Sequence, residues 1–222
     1  MYKYLLFDAD NTLLDFDKAE AQALKETLAL CPLGFSEEKH KRYHIINDLQ
    51  WKRLERGETT RDRLRVERFE LLYKEFGVDS KYAPETADIY AKRLSQQGHM
   101  IENAVDVLAC LSQTYRCFII TNGITEIQNS RLSKTCIGEY IEHSFISQEM
   151  GCAKPSPVFF EKVMEYIGDS DVKRYLVIGD SLTSDIAGAV NIGMDSVWIS
   201  EGESDLPTYT VDKLPKLYSI LK

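Results

Sequence analysis

Tyr4-Leu5-Leu6-Phe7-Asp8-Ala9-Asp10-Asn11-Thr12 is the stretch on which the fold turns. The apolar run Tyr4–Phe7 shows no helical period and ends abruptly in acidic residues, as a strand buried on both faces of a parallel sheet does. Working outward, comparable runs occur at Cys117–Ile120, Phe145–Ser147, Tyr175–Ile178 and Ser196–Ile199. Between them lie segments with helical spacing: Val105, Leu108 and Leu111; Phe159, Val163 and Ile167; Ile186, Ala189 and Val190. Strand and helix in alternation predict right-handed crossovers and an α/β fold, a doubly wound parallel sheet.

One region breaks the rhythm. Residues 16–97 are rich in Lys, Arg and Glu and contain no convincing strand. Leu24 with Leu28, Leu64 with Phe69 and Leu72, and Ile89 with Leu94 predict three or four amphipathic helices, broken at Gly57, Gly77 and Pro84. The expected organisation is an α/β core of residues 1–15 and 98–222 with an all-helical insertion at 16–97. Thr208–Lys222 is expected to add a strand-like piece and a short helix.

The 222 residues carry a net charge of −8, with 44% hydrophobic and 28% charged residues, the balance of a soluble globular protein. That charge argues against a nucleic-acid polymer as partner, since no general positive field draws one in. An anionic small substrate then needs a locally positive site. No apolar run approaches the roughly 20 residues of a membrane helix. The opening residues become charged too early for a signal peptide, so a cytoplasmic protein without membrane partners is expected, monomeric or homodimeric. The five cysteines (Cys31, Cys110, Cys117, Cys136, Cys152) show no Cys-x-x-Cys spacing and are expected to be mostly buried, reduced thiols. His40 and His44 lack a third ligand in zinc spacing and read as a solvated helix face.

In an open parallel sheet, ligands bind beyond the carboxyl ends of the strands near the topological switch point. Here those ends carry Asp8-Ala9-Asp10-Asn11-Thr12, Thr121-Asn122-Gly123 and Gly179-Asp180-Ser181, while Lys154-Pro155-Ser156-Pro157 precedes a helix. Each fragment alone reads as a turn or a helix start. Together they suit phosphoryl transfer. Asp8 can attack phosphorus to give an acyl phosphate, and Asp10 can protonate the leaving oxygen and later deprotonate water. Thr121 can donate to phosphate, with N–H groups near Asn122 and Gly123 at a helix start adding more. Lys154 supplies positive charge. Asp8 with Asp180 offers oxygen ligands suited to magnesium. Asp185 is either a favourable charge in a helix's first turn or part of this set.

These four fragments in this order resemble the haloacid dehalogenase superfamily of aspartyl-phosphate hydrolases, and the match spans nearly the whole chain. The resemblance implies Asp8 as nucleophile, Asp10 as acid/base, and Thr121 and Lys154 as phosphate ligands. It implies Mg²⁺ held by Asp8, Asp180 and the Asp10 carbonyl, with Asp185 supporting. The insertion resembles the superfamily's helical cap, which closes over the site and excludes water. Retention of Asp10 favours a phosphatase over a dehalogenase.

A narrower likeness is to the pyrimidine 5′-nucleotidase branch. It is carried by Phe7–Leu13, by Trp51 through Gly57 to Thr59, by Ile119–Thr125 through Arg131-Leu132, and by Gly151–Pro155. It implies a phosphomonoesterase acting on nucleoside monophosphates. Acylneuraminate-9-phosphatases and phosphoglycolate phosphatases share much of the core pattern, so a sugar-phosphate or phosphoglycolate substrate stays open, as does a phosphomutase. Trp51 reads as a helix-packing aromatic of the insertion, with a base-stacking ring as the alternative. A phospho-acceptor switch is the non-enzymatic alternative. Such receiver domains are shorter, lack the insertion, and carry the accepting aspartate on a later strand.

Overall fold

The structure, a computed structural model, describes residues 1–221. Among these, six strands form one parallel sheet: β1 (Tyr4–Asp8), β2 (Arg116–Thr121), β3 (His143–Ile146), β4 (Tyr175–Gly179), β5 (Asp195–Ile199) and β6 (Tyr209–Val211). Their order is β3-β2-β1-β4-β5-β6. The chain reverses its direction of travel across the sheet between β1 and β4, which makes that crevice the switch point. Registers pair Phe7 with Ile119 and with Ile178, so the carboxyl ends of the three central strands are level.

Side chains of β1 alternate between two cores, as a period of two demands. Leu5 and Phe7 join Cys117, Ile119, Leu176 and Ile178 beneath Val107, Leu108 and Leu111 of α5 (Ala104–Leu111) and beneath Leu214 and Leu217. Tyr4 and Leu6 join Phe118, Ile120 and Val177 on the opposite face, against Phe159, Phe160 and Val163. With apolar layers on both faces, burying each such Leu or Phe stabilises by roughly 1.5–3 kcal/mol.

The chain divides into two compact units, Met1–Phe16 with His99–Lys222, and Asp17–Gly98. The second contains α1 (Phe16–Leu28, from its second residue), α2 (Glu37–Glu55), α3 (Arg61–Glu75) and α4 (Ala83–Leu94). Ser36 and Thr60 cap α2 and α3 by accepting from the N–H groups of Lys39 and Arg63, both at 3.3 Å. Gly57 and Gly77 follow the ends of α2 and α3 with φ of 71° and 67°, a conformation only glycine adopts without strain. The buried face of α4 is Ala83, Thr86, Ala87, Tyr90 and Leu94, so Ile89 sits beside it rather than in it. This unit also buries polar groups. Asn47 Nδ2 donates to Glu20 Oε2 at 2.9 Å, and Arg68 donates to Asn47 Oδ1 at 2.8 Å while lying over the Tyr90 ring. Trp51 is half-buried, and the exposed His44 lies 2.7 Å from Glu20 Oε1.

In the core unit, α6 (Thr125–Leu132), α7 (Ser147–Met150), α8 (Pro157–Ile167) and α9 (Ala187–Ile192) complete the crossovers. The third predicted run is displaced, since β3 ends at Ile146 and Ser147 opens α7. Ser156 and Pro157 occupy the cap and first position of α8. Ile186 and Ala189 are buried as the spacing predicts, whereas Val190 is exposed. A π-helical turn at Leu182–Ile186 precedes α9. β6 and a 3₁₀ helix, Leu214–Ser219, fill the predicted C-terminal piece, of which Lys222 lies outside the described residues. The cysteine expectation needs correction. Only Cys117 is buried, Cys110 and Cys136 are exposed, and all five thiols are free. No helix among the described residues is long and apolar enough to cross a membrane.

Candidate active site

Asp8 is the last residue of β1, and Asp180 follows the last residue of β4. Neighbouring parallel strands lie about 4.8 Å apart, so the two carboxylates meet across the switch point. Asp185 joins them from the π-helical turn, and oxygens of the three lie within 4.8 Å of one another. Gly179 makes this approach feasible, since a Cβ there would run into the Asp185 carboxylate.

Lys154 is the counter-ion. Its Nζ donates to Asp8 Oδ1 and Asp185 Oδ1, each at 2.5 Å, and to the Ile120 carbonyl at 3.0 Å. All three ammonium protons are thereby directed at protein oxygens, so Lys154, predicted as a phosphate donor, also fixes the Asp8 carboxylate. The Asn122 side chain holds Lys154 in position. Its Nδ2 donates to the Lys154 carbonyl at 2.8 Å, and its Oδ1 accepts from the Lys154 N–H at 3.0 Å.

The segment after β2 differs from its prediction in two ways. The helix after β2 begins at Thr125, beyond Asn122 and Gly123. The Gly123 N–H donates to Thr121 Oγ1 at 3.1 Å, so that amide stabilises the loop instead of standing ready for a ligand. Thr121 Oγ1 also accepts from Gln128 Nε2 at 2.9 Å, which leaves the hydroxyl proton to be donated.

Asp10 lies in the turn after β1, where Asn11 takes a left-handed φ of 55° and Leu13 and Leu14 donate to the Ala9 carbonyl. Its carboxylate is held by two residues to which sequence reasoning gave no role. Arg131 Nη1 donates to Oδ1, and Gln128 Nε2 donates to Oδ2 at 3.1 Å. A third omission is Trp198, whose indole N–H donates to the Asp180 carbonyl at 2.7 Å. The available signal was spacing. Gln128 and Arg131 stand three apart on the helix after Thr121, hence on one face.

Burial pushes the Asp8 carboxyl well above its ordinary value; Lys154 opposes this, and Asp185, Asp180 and Asp10 add to it. Asp180 is pushed up to about 7, by burial first and by Asp185 next. Burial pulls the Lys154 ammonium down, but Asp185 and Asp8 outweigh it and the net shift is upward. Three carboxyl groups share one ammonium in a largely dry cluster, so ionising all of them leaves an excess of negative charge. A hard divalent cation with oxygen ligands balances that excess, and the all-carboxylate donor set fits Mg²⁺ chemistry. Among the described residues this is the only cluster of three or more such side chains.

The family model for haloacid dehalogenase-like hydrolases matches residues 2–193. The chain belongs to this family. It is a hydrolase of the haloacid dehalogenase type, with a Rossmann-like core, similar to several relatives along nearly its whole length. The pyrimidine 5′-nucleotidase PynA of Streptococcus pneumoniae is 37% identical over 218 residues, 95% of this chain and 91% of that protein. YfnB of Bacillus subtilis is 34% identical over 226 residues, 99% and 95% of the two chains. The structure of YfnB bound to magnesium superposes with a TM-score of 0.92 over 100% of this chain and 99% of its own, at 33% identity. The pyrimidine 5′-nucleotidase YjjG of Escherichia coli is 29% identical over 225 residues, 99% of this chain and 98% of its own.

Proposed function

We propose that this hydrolase is a magnesium-dependent phosphomonoesterase that forms an aspartyl phosphate on Asp8, with pyrimidine nucleoside 5′-monophosphates as its substrate class. The observation that carries the reading is the Asp8 carboxylate held at the switch point by Lys154, beside Asp180 and Asp185, with a second, separately oriented carboxylate at Asp10. The similarity to PynA and YjjG supports the substrate class.

The chemistry follows from these groups. An Asp8 oxygen attacks phosphorus as the ester P–O bond breaks, and the departing alkoxide takes the proton of Asp10 to leave as a nucleoside. Asp10, now ionised, accepts a proton from water, whose oxygen attacks the acyl phosphate. The P–O bond to Asp8 breaks, inorganic phosphate is released and the Asp8 carboxylate is restored. Lys154 opposes the effect of burial on Asp8, favouring its ionised form, and limits where its attacking oxygen can sit. The Thr121 proton is positioned to bind a phosphoryl oxygen. Asp8, Asp180 and the Asp10 carbonyl, with Asp185 supporting, would hold Mg²⁺, which would supply the charge neutralisation needed for an anionic ester to approach the Asp8 carboxylate.

Phosphate release from a panel of nucleoside monophosphates, sugar phosphates and phosphoglycolate with added magnesium tests the reading. Uridine and cytidine monophosphates are expected to lead, and Asp8→Asn is expected to abolish release while leaving the thermal midpoint close to the parent's. Parent-like turnover by Asp8→Asn refutes the nucleophile assignment, and a preference for sugar phosphates refutes the substrate class. Isomer formation without phosphate release identifies a mutase.

A further inference from the structure

Arg131 and Gln128 are each only 1% exposed, although both are polar and one is charged. Burying a guanidinium is expensive unless it is paired. It is paired with Asp10, whose side chain remains 29% exposed. Each Asp10 oxygen has its own donor: Oδ1 receives Arg131 Nη1, and Oδ2 receives Gln128 Nε2 at 3.1 Å. A carboxylate held by one donor can rotate about it. Held by two donors from successive turns of one helix, it cannot.

The amide of Gln128 is itself oriented. Arg131 Nη1 also donates to Gln128 Oε1 at 3.1 Å, and a guanidinium can only donate, so the amide oxygen must face Arg131. The amide nitrogen is then left for Asp10 and for Thr121 Oγ1 at 2.9 Å. Room for this side chain is made by Gly123, where an added Cβ would come within 2.5–2.9 Å of Gln128 Cγ, Cδ and Nε2. Phe16 steadies the guanidinium, its ring centroid 5.6 Å from the Arg131 carbon.

We propose that Arg131 and Gln128 are positioning residues that lock the Asp10 carboxylate in the orientation needed for proton transfer to the leaving oxygen, and that Gln128 ties this orientation to the phosphate-binding hydroxyl of Thr121. The inference rests on the phosphatase reading above. It makes a demand that a merely structural ion pair does not: loss of the clamp must harm poor leaving groups more than good ones. A p-nitrophenolate departs without being protonated, whereas a nucleoside or simple alkyl alkoxide needs the proton of Asp10.

The test compares kcat/KM, which reports the first displacement, for p-nitrophenyl phosphate and for an alkyl phosphate. The proteins are the parent, Arg131→Met, Arg131→Lys, Gln128→Leu and Asp10→Asn, with thermal midpoints measured for each. Arg131→Met is expected to lower kcat/KM for the alkyl ester by ~10²-fold, with a loss for p-nitrophenyl phosphate at least ~10-fold smaller. Arg131→Lys is expected to recover part of the difference. Adding Arg131→Met to Asp10→Asn is expected to produce no further leaving-group bias, since both act through one group. If Arg131→Met does not fold, Gln128→Leu carries the same comparison. Equal losses on both esters in a folded variant overturn the inference while leaving the phosphatase reading intact. Absence of leaving-group bias in Asp10→Asn, or of phosphate release by the parent, instead overturns the reading beneath it.

Discussion

Raising the pH of the metal-free protein from 5 to 8 is expected to destabilise its core, and magnesium is expected to reverse the effect. In the folded chain the Asp180 carboxyl moves from its ordinary value of 3.8 up to about 7. Between those values the folded state binds a proton that the unfolded state has released, so the stability is complete below about 3.8 and is lost as pH rises through about 7. Two pH units below 7, at about 1.36 kcal/mol per unit, give ~3 kcal/mol lost between pH 5 and 7. The upward shift of Asp8 acts in the same direction. With a urea slope of about 1–3 kcal/mol/M, the midpoint should fall by ~1 M or more. The assay is urea unfolding in EDTA, followed by Trp198 fluorescence in a Trp51→Phe background so that only the core unit reports. Magnesium at ~100 times its dissociation constant should restore about 2.7 kcal/mol at pH 8. Asp180→Asn should give a shallower pH dependence and less response to magnesium. A free energy in EDTA that stays flat or rises from pH 5 to 7 refutes the argument, because it means these carboxylates are not held in an unfavourable cluster.

Two further outcomes follow from the same cluster. Lys154→Met leaves Asp8 and Asp185 buried without their counter-ion, so it should cost about 3–5 kcal/mol by calorimetry in addition to activity. A parent-like melting temperature in EDTA contradicts the role given to that ammonium. Gly179→Ala drives a methyl group into the Asp185 carboxylate and should weaken magnesium binding about 10–100-fold by titration calorimetry. An unchanged affinity shows that Asp185 does not help to shape the metal site.

The strands were legible because a parallel strand has no solvent face, so Tyr4–Phe7 and Tyr175–Ile178 are unbroken apolar runs. The helical insertion was legible because charge spacing and glycines mark it. The meeting of Asp8 and Asp180 could be read from the rule that strand ends converge, Lys154 was read in from a helix start, and the part of Asp185 came only from the family resemblance. What could not be read depends on side-chain direction. Nothing in the spacing of Gln128 and Arg131 tells that their shared face turns inward onto Asp10. Asn122 offered a turn signal, yet its amide grips residue 154 across 32 positions of sequence. Exposure of Cys110, Cys136 and Val190 escaped notice for a related reason, since apolar neighbours in sequence need not surround a residue in space.

The grip of Asn122 on Lys154 has the pattern of a ladder rung, one donor and one acceptor exchanged with a main chain, made here by a side chain. It continues strand-like pairing just past the end of β2, where main-chain pairing with β3 has stopped at Thr121. Two connections far apart in sequence thereby become one mechanical piece. A fluctuation that lifts the segment after β2 must lift the base of the ammonium with it, and both should exchange their amide hydrogens at matching rates.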